Sequence, residues 1–131
     1  MPEPKRELFS DIDIAFAPHP ITGKLTRKTN RNAVRQSVKS LILTDFYERP
    51  FKPRIGCGIR YHLFELFTPA TKQLMQNSIR EVIENFEPRA EIIEVLVEER
   101  RDLNAMTVSV AFFVKNDPEP VVLDVVLERV R

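Results

Sequence analysis

The chain has 131 residues, of which 43% are hydrophobic and 30% charged, a balance that fits one soluble globular domain and excludes two full-sized ones. Twenty Lys and Arg against nineteen Asp and Glu give a formal net charge of +1, so no global field draws the chain onto nucleic acid or anionic lipid. The charge is nevertheless polarised: residues 1–60 carry a net +6 and residues 61–131 a net −5.

The single cysteine, Cys57, excludes an intrachain disulfide and multi-cysteine zinc arrangements, and His19 and His62 are too few for a histidine-rich metal centre. Glycine occurs only at 23, 56 and 58, so there is no material for a phosphate-cradling loop or a dinucleotide fingerprint. No cofactor and no metal are expected. The charged, proline-containing start lacks an apolar h-region and no 18 apolar residues run together, so neither secretion nor a membrane span is expected.

Residues 1–29 read as an extended N-terminal arm, with prolines at 2, 4, 18 and 20 opposing a long helix. Within it Leu8, Ile12, Ile14 and Phe16 fall at even positions, which predicts a short strand or extended segment lying on the core. The remainder, 30–131, reads as a single α+β domain. From Asn30 a helix is predicted, with Asn30 or Asn32 as cap and Val34, Val38, Leu41 and Ile42 on one face. Arg31, Arg35 and Lys39 lie opposite, in the most basic stretch of the chain (24–39), which also holds Lys24, Arg27 and Lys28. That stretch is either a solvated face or a docking surface for an acidic partner protein.

Two prolines and two glycines make 48–58 a structured loop. Tyr61, Leu63, Phe64, Leu66 and Phe67 then form an apolar knot, read as a short helix that plugs the core. Thr68-Pro69 has the form of a cap followed by proline at the first helical position, and Met75, Ile79, Val82, Ile83 and Phe86 repeat along one face of a second long helix that Pro88 ends. Thereafter the period changes to two. Ile93, Val95 and Val97, then Val108, Val110, Phe112 and Val114, then Leu123, Val125 and Leu127 mark three strands joined by turns at 102–105 and 116–120. Short connections imply an antiparallel meander, and helices followed by strands imply an α+β fold: an N-terminal arm, two main helices and a plug helix packed on a C-terminal three-stranded antiparallel sheet.

Candidate chemistry is thin. Cys57 and His62 could be written as nucleophile and base, but nothing identifies an orienting third group, and a buried structural thiol is the better account. Glu81, Glu84, Glu87, Glu91, Glu94, Glu98 and Glu99 supply carboxylates in the numbers a glycosidase needs, yet they fall where solvation explains them, and tryptophan, the usual sugar platform, is absent. The basic stretch lacks interleaved aromatics and any nucleic-acid reader motif. A meander with two open edges, its last strand reaching Arg131, suits an interaction protein that accepts a strand from another chain.

Three stretches carry a resemblance: Phe9-Ser10-Asp11-Ile12-Asp13; Arg49-Pro50-Phe51 with Gly56-Cys57 and Leu63-Phe64-Glu65; and Glu87-Pro88-Arg89 at a helix end. In order and spacing the chain resembles the small baseplate wedge proteins of contractile phage tails, also called sheath initiators, whose relatives serve type VI secretion. The resemblance implies a structural, non-enzymatic virion component, made in the host cytoplasm and placed in the tail baseplate. The implied partners are other wedge proteins and the tail sheath, with tube or hub proteins as further candidates and no small-molecule substrate. It implies that Glu87, Pro88 and Arg89 hold the wedge's core bundle. It also implies that the strands bearing Val108, Val110, Phe112, Val114, Leu123, Val125 and Leu127 template the first sheath ring by strand exchange. The bland reading of the tripeptide is a helix stop whose Glu87 and Arg89 make local ion pairs. A lysozyme-like peptidoglycan hydrolase, and behind it a nucleic-acid-binding module, are the alternative functions.

Overall fold

The computed structural model describes residues 9–63 and 66–128, so the expectations placed on Leu8, Phe64, Glu65 and Arg131, and on the side chains of Arg27 and Lys28, fall outside the described residues. In chain order the elements are β1 (Ser10–Ile12), β2 (Arg27–Thr29), α1 (Asn30–Leu43), α2 (Ile59–His62), α3 (Pro69–Phe86), β3 (Ala90–Arg100), a 3-10 turn at Arg101–Leu103, β4 (Ala105–Val114) and β5 (Pro120–Glu128). β1 and β2 pair with each other, while β3, β4 and β5 form an antiparallel sheet in that order. α3 packs on β3, and α1 packs on β4, β5 and α3, so the helices cover one face of the sheet, as the α+β reading expects.

The two long helices form where the apolar spacing places them. Val34, Val38, Leu41 and Ile42 of α1 and Met75, Ile79, Val82 and Ile83 of α3 are all buried, each contributing about 1.5–3 kcal/mol of transfer free energy. The Thr68 hydroxyl accepts from Thr71 N–H at 3.2 Å, and Pro69 occupies the first turn, where its missing N–H leaves nothing unsatisfied. Phe86, predicted inward, is exposed; the chain turns at Pro88 and buries Glu87 in its place.

In β4 from Met106 onward and throughout β5 the period of two holds: Val108, Val110, Phe112, Val114, Leu123, Val125 and Leu127 point into the core, and Asp124 and Glu128 point out. β3 departs from it. Phe112 pairs with Ile92 and Ala111 with Glu94, leaving Ile93 as the extra residue of a β-bulge. Ile93 is therefore exposed, and Ile92 takes its place against the core, ahead of the inward Val95 and Val97.

Two further expectations are corrected. Ile12, Ile14 and Phe16 are exposed, and it is Phe9 that packs against the core. Here the backbone does the docking: Gln36 Nε2 donates to Ile12 O at 2.9 Å and Gln36 Oε1 accepts from Ile14 N at 3.1 Å, which turns the alternating side chains outward. The plug is made only in part by the residues expected, since Leu63 and Phe67 do pack on the core. α2 is a single turn, so Ile59 and, one turn on at the residue that follows the helix, Leu63 reach the core beside Cys57, while Tyr61 and Leu66 are exposed. Among the described residues no helix is long and apolar enough to cross a membrane.

Candidate docking site

The site is built at the end of α3, where Glu87 caps the helix with its N–H on Ile83 O at 2.9 Å and Pro88 forbids another turn. The exit directs the Glu87 side chain inward, leaving the residue 2% exposed. Its carboxylate accepts from Arg89 Nε at 2.7 Å, from Arg89 Nη2 at 3.0 Å, from Arg89 N–H at 3.3 Å and from the Ser37 hydroxyl on α1. Arg89 Nη2 also reaches Asp11 Oδ2 at 3.2 Å, and its guanidinium carbon lies 5.5 Å from the Phe9 ring centroid, within cation–π range. Phe9 is held there by a reciprocal pair with Asn30, whose N–H donates to Phe9 O at 2.7 Å and whose Oδ1 accepts from Phe9 N at 3.3 Å.

Burial opposes ionisation of Glu87, but the hydrogen bonds from Arg89 and Ser37 outweigh it and hold the carboxyl below its usual range. Hydrogen bonding to Glu87 raises the Arg89 pKa further from neutrality. This is an ionised, bidentate pair across an ordinary range of pH. A general acid needs the reverse, a carboxyl held above its usual range.

Geometry thus supplies the local ion pair and leaves a specific remainder. With Nε and Nη2 committed, Arg89 Nη1 has no hydrogen-bond partner among the described residues, and the side chain is 23% exposed. Beside it lies an open cleft of about 550 Å³ lined by Glu84, Pro88, Arg89, Glu91 and Lys115, with Lys115 N–H fixing the turn through Arg89 O at 2.8 Å. Sequence reasoning missed that Ser37, Phe9 and Asp11 complete the corner. Asp11 and Arg89 are 78 residues apart, and the only signal was their complementary chemistry: an aromatic with a carboxylate in one motif, a guanidinium in the other.

The other candidate residues lie elsewhere. Val108, Val110, Phe112 and Val114 sit on the central strand, whose two backbone edges are taken by β3 and β5, and their side chains are in the core. Leu123, Val125 and Leu127 also point inward, but β5 pairs only with β4 among the described strands. Arg31 is engaged within the chain, pairing with Asp117 at 2.8 Å and Glu119 at 2.7 Å, so of the basic trio only Arg35 and Lys39 are exposed with no ion pair to a described residue. Burial, with Asp45 nearby, pushes the Cys57 thiol up to about 12, which removes the thiolate a nucleophile requires. His19 Nδ1 accepts from the Ile21 and Thr22 N–H groups and organises a turn.

Solved baseplate proteins share this fold. A chain of the anti-feeding prophage baseplate superposes with a TM-score of 0.65 at 22% identity, over 91% of this chain and 84% of that one. A Geobacter sulfurreducens protein labelled a candidate tail lysozyme superposes with a TM-score of 0.67, also at 22% identity, over 75% of this chain and 89% of its own. In sequence, the baseplate wedge protein gp25 of Enterobacteria phage T4 is 29% identical over 115 residues, which cover 88% of this chain and 86% of the relative. Residues 28–119 match the family described as Baseplate wedge protein gp25, and the chain belongs to that family. It is a structural baseplate wedge component of contractile tail machinery.

Proposed function

We propose that this chain is a non-enzymatic joint of the baseplate wedge, gripping neighbouring wedge proteins at the Glu87-Pro88-Arg89 corner and offering an edge strand to the first ring of sheath. The observation that carries the reading is the division of labour inside Arg89. Two of its nitrogens are hydrogen-bonded within the corner, while Arg89 also lines the cleft beside the exposed Pro88, which leaves the third nitrogen for a carboxylate or carbonyl of a partner. For the sheath, β5 is the strand to bet on. Its outward side chains include Val122 and Val126, and an added strand would continue the alternation. The pKa directions oppose two specific catalytic roles, a general acid at Glu87 and a thiolate nucleophile at Cys57.

Removing β5 does not test strand exchange, because Val121, Leu123, Val125 and Leu127 are core residues and their loss unfolds the sheet. Hydrogen exchange on wedge assembled with and without sheath protein avoids this. Strand addition is expected to slow exchange along 120–128 and leave α3 unchanged; identical exchange along β5 in both samples overturns the templating role. For the corner, Arg89→Lys keeps the charge and loses the fork. Tagged co-purification with the neighbouring wedge proteins, scored per folded molecule, is expected to fall at least tenfold, and undiminished recovery would remove the corner from the interface.

A further inference from the structure

Among the described residues the loop between α1 and α2 carries the most exposed aromatic rings; it lends Ile55 and Cys57 to the core, but neither the core nor the Glu87 corner uses those rings. Phe51 is fully solvent-exposed at 102% and Tyr47 is 82% exposed, with Tyr61 and part of Phe46 also at the surface. Both Tyr47 and Phe51 have φ of 66°, a left-handed conformation that costs an aromatic residue about 1 kcal/mol or more. Burial of their rings does not offset that cost within this chain.

The loop is nonetheless rigidly built. Tyr47 N–H donates to Pro53 O at 2.8 Å, Cys57 N–H to Thr44 O at 2.9 Å, and Asp45 N–H to Glu48 Oε2 at 2.8 Å. At Gly56 a Cβ would stand 2.6 Å from the Asp45 carbonyl carbon, so only glycine permits the two strands of the loop to approach this closely. A Cβ at Gly58 would meet the Phe46 ring at 3.0 Å and the Tyr61 ring at 3.7 Å, which places both rings over that glycine.

Charge completes the surface. Asp45 pairs with Arg60, and Glu48 is held by the Asp45 amide. Arg49, Lys52 and Arg54 surround Phe51 in sequence, are exposed, and make no ion pair with a described residue. Exposed rigid aromatics ringed by cations are the composition of an interface anchor: the rings supply apolar area at small entropic cost, and the cations select the rim they meet.

We propose that the loop 46–61 is a second docking surface, which inserts Phe51 and Tyr47 into an apolar groove of another baseplate protein rimmed by Asp and Glu. The inference rests on the wedge assignment above, since it takes its partner from the same particle. A protein groove fits better than nucleic acid or lipid. Asp45 and Glu48 dilute the positive charge that a phosphate backbone or an anionic headgroup would need.

The test replaces Phe51 with the photo-crosslinking p-benzoylphenylalanine in the full chain, within assembled tail particles, and places the same group at exposed Leu103 on the β3–β4 turn as a collision control. An adduct from position 51, absent from position 103, with an Asp- and Glu-rich peptide of a baseplate protein is the expected result. In parallel, Arg49→Glu with Arg54→Glu is expected to lower particle yield at least tenfold while the isolated chain keeps its melting temperature. Particles that contain the chain but give no specific adduct at 51, adducts to nucleic acid or lipid, or full particle yield from the reversed variant overturn the loop's role and leave the wedge assignment standing. Absence of the wild-type chain from purified particles overturns both.

Discussion

The Glu87 corner and the 46–61 loop handle chemically expensive groups in opposite ways. At the corner a carboxylate is taken out of water and repaid at once by Arg89 and Ser37, so the groups satisfy one another and tie the N-terminal segment, α1 and the helix–sheet junction together. In the loop, aromatic rings and three cations are carried on a hydrogen-bonded backbone and left facing solvent. Groups satisfied inside the chain report on stability, whereas groups positioned and left unsatisfied report on recognition. The contrast makes separable predictions.

The largest effect is expected from Arg89→Ala. It strands the buried Glu87 carboxylate, at a cost of about 3 kcal/mol, so this substitution perturbs the fold as well as any interface. Urea denaturation measures it, and a midpoint unchanged from wild type would deny that Arg89 stabilises the buried Glu87 carboxylate. Glu87→Gln sharpens the same point through pH. Because Glu87 titrates lower in the fold than in the unfolded chain, its stabilisation is complete at neutral pH. It is lost as pH falls below the ordinary carboxylate value of about 4 and through the lowered folded value. Acid denaturation of wild type should therefore be steeper than that of the glutamine variant; parallel acid limbs would deny the coupling.

Gly56→Ala is expected to cost about 1–3 kcal/mol, because the added methyl meets the Asp45–Phe46 backbone, which has no rotamer to escape into. It should also release the loop, visible as faster amide exchange at Tyr47 and Cys57. Smallest of all is Phe51→Ala, expected to change stability by less than about 0.5 kcal/mol, since the ring touches nothing it stabilises. Loss of thermal stability by several degrees would make Phe51 a structural residue after all.

The corner was only partly legible beforehand. Glu87, Pro88 and Arg89 stand together in the chain, and a helix stop with a local ion pair is readable from them. That the pair also gathers Ser37, Phe9 and Asp11 is not, because those contacts span 50 to 80 residues and depend on how β1 and α1 meet. The arm shows the same limit. Its alternation suggested a core-facing edge, but Gln36 captured the backbone and turned Ile12 and Ile14 outward.

What the sequence by itself determined is periodic: α1 and α3 with their buried faces, the Thr68-Pro69 start, the inward residues of β4 and β5, and the order of helices before sheet. These follow from burying apolar side chains at a repeat of 3.6 or 2, a local property that survives any particular packing. Only the tertiary structure decided the bulge at Ile93, the choice of Phe9 over Ile12, the inward turn of Glu87 and the commitment of Arg31 to Asp117 and Glu119. Each of these depends on pairing between groups far apart in the chain, where register, backbone hydrogen bonds and charge neutralisation outweigh local pattern.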